Sequence, residues 1–315
     1  MQLGTTFDID YATHLGLNWK DTLEQIVNLK LSPIRIGIKW SRVKVQKKKY
    51  NWLDYDEILE LLDSKNIPIL LSVGMKSPRW PEFFIPDWIE TNTTNSIIDI
   101  NESNIKDSLF EFIKITIERY KHLRNIKWLQ VENEPFLESG PNKLRISQDL
   151  LKEEVSFVRS ISNRQILLTA QGLPTTGLLA EYLKGRYKYK NKLINIADII
   201  GFHVYPKFEH ESLLNKPKTF SASKTAWKYL QKLFNKTQSV NKECWCTELQ
   251  AEPWQVELVS HKDTYVNKTC NPKMVKNYIK KLENIGFKTI LVWGTEFHIK
   301  CEHEGNDKWI KRIYS

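Results

Sequence analysis

Ile126-Lys127-Trp128-Leu129-Gln130-Val131-Glu132-Asn133-Glu134-Pro135 is a mostly apolar run that ends abruptly in charge. Its first six residues have the composition of a buried strand. The proline fixes the chain as it leaves that strand. A carboxylate in Glu134's position weakens a core unless it has chemistry to do. Outward from this stretch, short β-branched runs alternate with amphipathic ones. The runs predict eight strands, over residues 3–7, 34–38, 67–73, 126–131, 165–170, 197–204, 242–247 and 287–293. Helices are expected over 19–29, 55–64, 105–120, 147–160, 178–184, 224–234 and 273–284, with a short last helix in 306–315. In 105–120 the apolar residues Ile105, Leu109, Phe112, Ile113, Ile115, Ile117 and Tyr120 recur mostly three or four apart, as in a helix. Strands alternating with helices predict a parallel sheet and an α/β fold. With no linker tract and no fixed repeat, eight such units predict one closed (β/α)8 barrel spanning residues 1–315.

Composition narrows the classes. Hydrophobic residues make up 41% of the 315, enough for a large core and too many for a disordered chain. The net charge of +10 raises nucleic-acid binding first. However, the lysines are spread through the expected helices, and the only dense run is Lys47-Lys48-Lys49. No zinc-finger or RNA-recognition signature is present. A solvated basic surface is therefore expected, and no nucleic-acid partner. Cys244 and Cys246 flank one residue of an expected strand, so they share a face and a bond between them would be strained. No Cys-x-x-Cys or Cys/His zinc spacing occurs, so these two, with Cys270 and Cys301, are expected to be reduced thiols. The first residues show no basic-then-apolar signal pattern, which predicts a cytoplasmic protein, or a secreted one if a leader has been trimmed. No run is long enough for a membrane span. A monomer is expected.

A second carboxylate completes the pattern. Glu248, in Cys244-Trp245-Cys246-Thr247-Glu248-Leu249-Gln250, follows the seventh expected strand as Glu134 follows the fourth. The strand-to-loop edge is where (β/α)8 enzymes carry their chemistry. Two carboxylates converging across a sugar ring are the machinery of glycoside hydrolysis, one as acid/base and one as nucleophile. Asn133, beside Glu134, can hydrogen-bond a sugar hydroxyl. Eleven tryptophans, with Trp40, Trp80, Trp88, Trp254 and Trp293 near expected loops, offer faces that stack on sugars. The stretch 76–104, with Pro78, Pro81 and Pro86 among aromatic residues, is expected to be an ordered wall of the site, and 205–220 a second rim element.

On these residues the chain resembles a clan A retaining glycoside hydrolase of the cellulase-like, family-five type, a TIM barrel. The resemblance covers the whole barrel. It implies acid/base catalysis by Glu134 and nucleophilic attack by Glu248 on a β-linked carbohydrate, with no cofactor and no metal. Asn133-Glu134-Pro135 is similar to that family's acid/base motif. Arg35 in Ile34-Arg35-Ile36 resembles its strand-two arginine, which keeps the nucleophile ionised. His203 and Tyr205 in Gly201-Phe202-His203-Val204-Tyr205 resemble its His-x-Tyr, whose tyrosine donates to the nucleophile. Trp293 resembles the tryptophan flooring the cleaved-sugar subsite. The family's histidine near the end of strand three is missing; that edge reads Met75-Lys76-Ser77-Pro78-Arg79-Trp80, so no cellulase substrate is assumed.

Each residue has a duller reading. Arg35 would serve equally as a structural ion pair, His203 as an orienter, Tyr205 as rim packing and Trp293 as a cap on the core. Glu296, His298, Cys301, Glu302 and His303 fit no familiar metal spacing. Two other functions stand beside the hydrolase. A catalytically silent glycan-binding barrel would be expected to have lost a carboxylate, and a basic nucleic-acid-binding barrel predicts binding that falls steeply with salt.

Overall fold

The computed structural model describes residues 1–47, 49–91, 96–99, 101, 103–174, 186–211, 217–256 and 258–315. Eight parallel strands form a closed barrel: β1 (Gln2–Phe7), β2 (Ile34–Gly37), β3 (Ile69–Val73), β4 (Ile126–Val131), β5 (Gln165–Gln171), β6 (Ile199–Val204), β7 (Glu243–Gln250) and β8 (Thr289–Trp293). Their order is β1-β8-β7-β6-β5-β4-β3-β2, the sequential winding of a (β/α)8 barrel. Residues of β3, β6 and β8 are buried throughout, as expected of parallel strands covered on both faces. Among the described residues no helix is long and apolar enough to cross a membrane.

The chain divides into two compact units. One comprises Arg35–Ala170 and Gly185–Gly201. Here Ser147 caps the helix Gln148–Ile161 by accepting from Leu150 N at 3.2 Å, and Leu150, Leu151, Val155 and Val158 form its buried face. Glu154 lies on that same face, fully buried. The stretch beyond β3 is not irregular throughout: Ile97–Ile98 pairs in parallel with Arg145–Ile146.

The other unit comprises Met1–Ile34, Gln171–Lys184 and Phe202–Ser315. Its helix Pro272–Ile285 opens on an Asn271 cap with proline at its start and closes on Gly286 at φ +119°. A Cβ at Gly286 would lie 2.7 Å from the Phe234 ring, so both the dihedral and the space require glycine. Trp309, Phe297, Cys270, Cys301, Val275 and Val292 pack into one apolar cluster. The expected rim element over 205–220 is a hairpin, Lys207–Glu211 antiparallel to Pro217–Ser221. The helix expected over 178–184 lies outside the described residues, as does Lys48 of the basic run. All four cysteines are free and buried.

Candidate active site

Two of the expected site residues are joined in the unit containing β7. Tyr205, just beyond β6, donates its phenol to Glu248 Oε2 at 2.7 Å. His203 Nε2 stands 3.4 Å from Glu248 Oε1. Both His203 and Glu248 are buried. Glu248 does not follow its strand as the sequence suggested, because β7 continues to Gln250. Against β8, Cys246 pairs with Ile290 and Leu249 with Val292, three residues on one strand for two on the other. The extra residue is a bulge across Thr247–Glu248, a device that re-aims a side chain next to a site. The expected strand stopped at Thr247, whereas Glu248, Leu249 and Gln250 are all buried within β7.

The surroundings of that carboxylate are fixed. The Tyr205 ring packs against Trp254 at 4.7 Å between centroids. Trp254 is itself pinned through its backbone, donating to Thr269 Oγ1 at 2.9 Å and accepting from Glu209 N at 2.8 Å. Gln250 mimics a peptide group: its Oε1 accepts from Lys207 N at 3.1 Å and its Nε2 donates to Lys207 O at 2.5 Å. Trp293, ending β8, is buried, and its carbonyl accepts from Ala251 N at 3.0 Å. Tyr11 donates to Glu252 Oε2 at 2.6 Å. Gly294, at φ +111°, leaves room for Glu252, whose Oε2 would lie 2.8 Å from an added Cβ. The residues that resembled a metal set are dispersed on the helix Thr295–His303. His298 there stacks on Trp309 and bonds Ala251 O and Tyr314 OH, and burial lowers its pKa to about 4. Among the described residues no group of three metal-ligating side chains converges.

In the other unit, β2, β4 and β5 build the surroundings of Glu134. Arg35, fully buried, donates to Gln130 Oε1 at 3.2 Å. Gln130 Nε2 donates onward to Glu132 O at 3.0 Å and to Asn133 Oδ1 at 3.1 Å. Thr169 Oγ1 accepts from Glu134 N at 2.8 Å and donates to Asn133 Oδ1 at 3.4 Å. The Asn133 oxygen is thus committed to these two donors. Glu132 and Glu134 adopt φ of +59° and +43°, a region uncommon for residues other than glycine. Trp40, expected to offer a face to sugar, presents none: it is fully buried and stacks on Phe112 at 5.6 Å. Among the tryptophans near the loops, Trp80, Trp88 and Trp254 are the exposed ones.

Three residues of this region were not anticipated. Lys76 is fully buried at the end of β3. Glu132 accepts from Met75 N at 2.8 Å and Lys76 N at 2.6 Å. Glu154, also buried, lies close enough to act on it electrostatically. Burial pushes the Glu132 pKa up to about 8 against the opposing pull of those backbone N–H groups, and raises that of Glu154. Gly74, at φ +128°, makes the space: an added Cβ would lie 2.3 Å from Glu132 Oε1. Glu154 carried a signal in the sequence, a carboxylate on the apolar face Leu150-Leu151-Val155-Val158.

No protein-family model and no curated protein sequence matches this chain. Solved structures do. The chain is similar to a GH5_18 enzyme from Bifidobacterium longum, solved in complex with Manβ1-4GlcNAc, with TM-score 0.66 and 12% identity over 100% of this chain and 77% of that one. It is similar to an endo-β-1,4-xylanase of glycoside hydrolase family 10 from Gloeophyllum trabeum, with TM-score 0.57 and 12% identity over 93% and 83%. A β-galactosidase from Marinomonas ef1 aligns with TM-score 0.59 and 12% identity over 93% of this chain, which spans about half (54%) of that protein. At such identities the likeness is one of architecture alone: the chain is a (β/α)8 TIM barrel, similar in fold to these enzymes.

Proposed function

We propose that the protein is a retaining β-glycosidase that cleaves O-glycosidic bonds by double displacement, with Glu248 as nucleophile and Glu134 as acid/base. The observation that carries this reading is the buried Glu248 carboxylate at a bulge near the end of β7, accepting from the Tyr205 phenol at 2.7 Å. A phenol that donates to a carboxylate favours its ionised form, the form in which a carboxylate acts as nucleophile. The similar barrels support a β-linked substrate, since two of them are named as a β-galactosidase and an endo-β-1,4-xylanase.

In the first step a Glu248 oxygen bonds to the anomeric carbon, the glycosidic C–O bond breaks, and the leaving oxygen takes the Glu134 proton. In the second, Glu134 removes a proton from water, the water oxygen bonds to the anomeric carbon, and the ester to Glu248 opens. Arg35 and Gln130 set the Asn133 amide to meet the sugar's hydroxyl, and Trp293 floors its subsite. The test is turnover on aryl β-glucosides, galactosides, mannosides, xylosides and fucosides, repeated with Glu248→Ala and Glu134→Ala. Glu248→Ala should abolish turnover for every substrate. Glu134→Ala should lose most on poor leaving groups and recover in part with azide, because activated aryl groups leave without protonation. Glycan binding without turnover in the unmodified protein would instead make it a silent binding barrel.

A further inference from the structure

Lys76 uses every polar group it has on three consecutive residues. Its backbone N donates to the Glu132 carboxylate at 2.6 Å. Its backbone O accepts from Asn133 N at 2.8 Å. Its ammonium donates to Glu134 O at 2.7 Å and, beyond that, to Leu137 O at 2.8 Å, and it forms an ion pair with Glu82 Oε2 at 3.1 Å. The side chain is wholly buried, with Phe83 5.5 Å from the ammonium. Burying an ammonium is expensive unless all its donors are met, so a lysine here is retained for what it holds.

What it holds is strained backbone. Glu132 and Glu134 both lie at positive φ, a conformation that for such residues persists only when the surroundings over-determine it. The Glu134 carbonyl fixed by Lys76 Nζ and the Glu134 N–H fixed by Thr169 Oγ1 leave that peptide frame no rotation. A carboxyl that must meet a leaving oxygen gains from this, because an error of about 1 Å in placement can cost a hundredfold in rate.

We propose that Lys76 is the positioning residue of the acid/base: its ammonium clamps the Glu134 and Leu137 carbonyls and so aims the Glu134 carboxyl at the glycosidic oxygen. This rests on the reading of Glu134 given above. The two are tested together by measuring kcat/KM for aryl β-glycosides of graded leaving-group acidity in Lys76→Met, Glu134→Ala and the unmodified protein, with and without azide.

Lys76→Met should lose about ten- to a hundredfold on the poorest leaving groups, within the 10²–10⁴ that general acid catalysis supplies. On dinitrophenyl glycosides it should lose little in kcat/KM, and azide should raise its kcat there. Equal loss across all leaving groups, or none, overturns the proposal, because a lysine that only supports the fold has no leaving-group dependence. If Glu134→Ala itself lacks that dependence, the acid/base reading fails; if it shows the dependence and Lys76→Met does not, only the Lys76 proposal fails. Thermal melting reports whether Lys76→Met folds. If it does not, Lys76→Gln, neutral and shorter, is read by the same two outcomes.

Discussion

Tyr205→Phe removes one oxygen from the site and little else. The ring that packs against Trp254 at 4.7 Å remains, and the backbone is undisturbed. The lost interaction is the 2.7 Å hydrogen bond to Glu248 Oε2. His203 Nε2, at 3.4 Å, addresses the other oxygen, so it does not replace the phenol. A hydrogen bond to a charged group is worth about 1.5–3 kcal/mol. It favours the ionised carboxylate over the acid, so its loss should be felt on the acidic limb of the pH–rate profile.

The consequence is specific. Well above that limb kcat/KM should stay within a few-fold of the unmodified protein. On the limb the loss should reach about ten- to a hundredfold. The assay is kcat/KM against pH with a dinitrophenyl glycoside, whose departure does not depend on the Glu134 proton. A uniform loss at all pH would mean that Tyr205 shapes the pocket without acting on the charge. An unmoved acidic limb at near-normal rate would refute the reasoning and leave Tyr205 as rim packing.

Glu154→Gln should change how stability responds to pH. Glu132, pushed up to about 8, and Glu154, also raised, both bind protons more tightly folded than unfolded. Their contribution is therefore full below the ordinary carboxylate value of 4.5 and lost as pH rises through about 8. The variant, which replaces the like charge by an amide, should flatten that decline and melt higher than the unmodified protein at pH 8–9, as thermal midpoints across pH 5–9 would show. Gly74→Ala should destabilise by roughly 1–3 kcal/mol in urea titration, since it combines a positive φ with a Cβ 2.3 Å from the Glu132 carboxylate.

The barrel was legible because eight apolar runs separated by helical patterns admit few other folds. Two of the errors at strand starts share one cause. The expected strands began at 67 and 287, whereas β3 begins at Ile69 and β8 at Thr289. Ile67 N bonds back to Leu62 O and Phe287 N to Leu282 O, each just after a residue in the left-handed region, Asn66 or Gly286. Each is the apolar residue that closes a helix end by packing back onto it, and in sequence it cannot be told from the first residue of a strand. The short helices Ile9–His14 and Thr295–His303 were missed because they carry no sustained apolar face.

The site was legible where one strand end supplied a whole motif, as in Asn133-Glu134-Pro135 and His203-Val204-Tyr205, and illegible where strands cooperate. Parallel strands that stop at a barrel's edge leave backbone N–H groups without a ladder partner, and burial forbids leaving them so. Here Met75 N and Lys76 N are taken by Glu132, and Glu134 N by Thr169. The acceptors sit far away in sequence, in positions that read as ordinary polar interruptions of apolar runs. Such interruptions are therefore the signal to look for. Gln130 in β4, Thr169 in β5 and Glu154 on a helix's apolar face are each buried, and a buried polar side chain persists only where a partner is fixed opposite it. Each of these buried groups bears on the same four residues, Glu132 to Pro135: Gln130 and Thr169 through hydrogen bonds and Glu154 through its electrostatic effect on Glu132. That convergence is why Glu134 can hold a backbone conformation its own side chain disfavours.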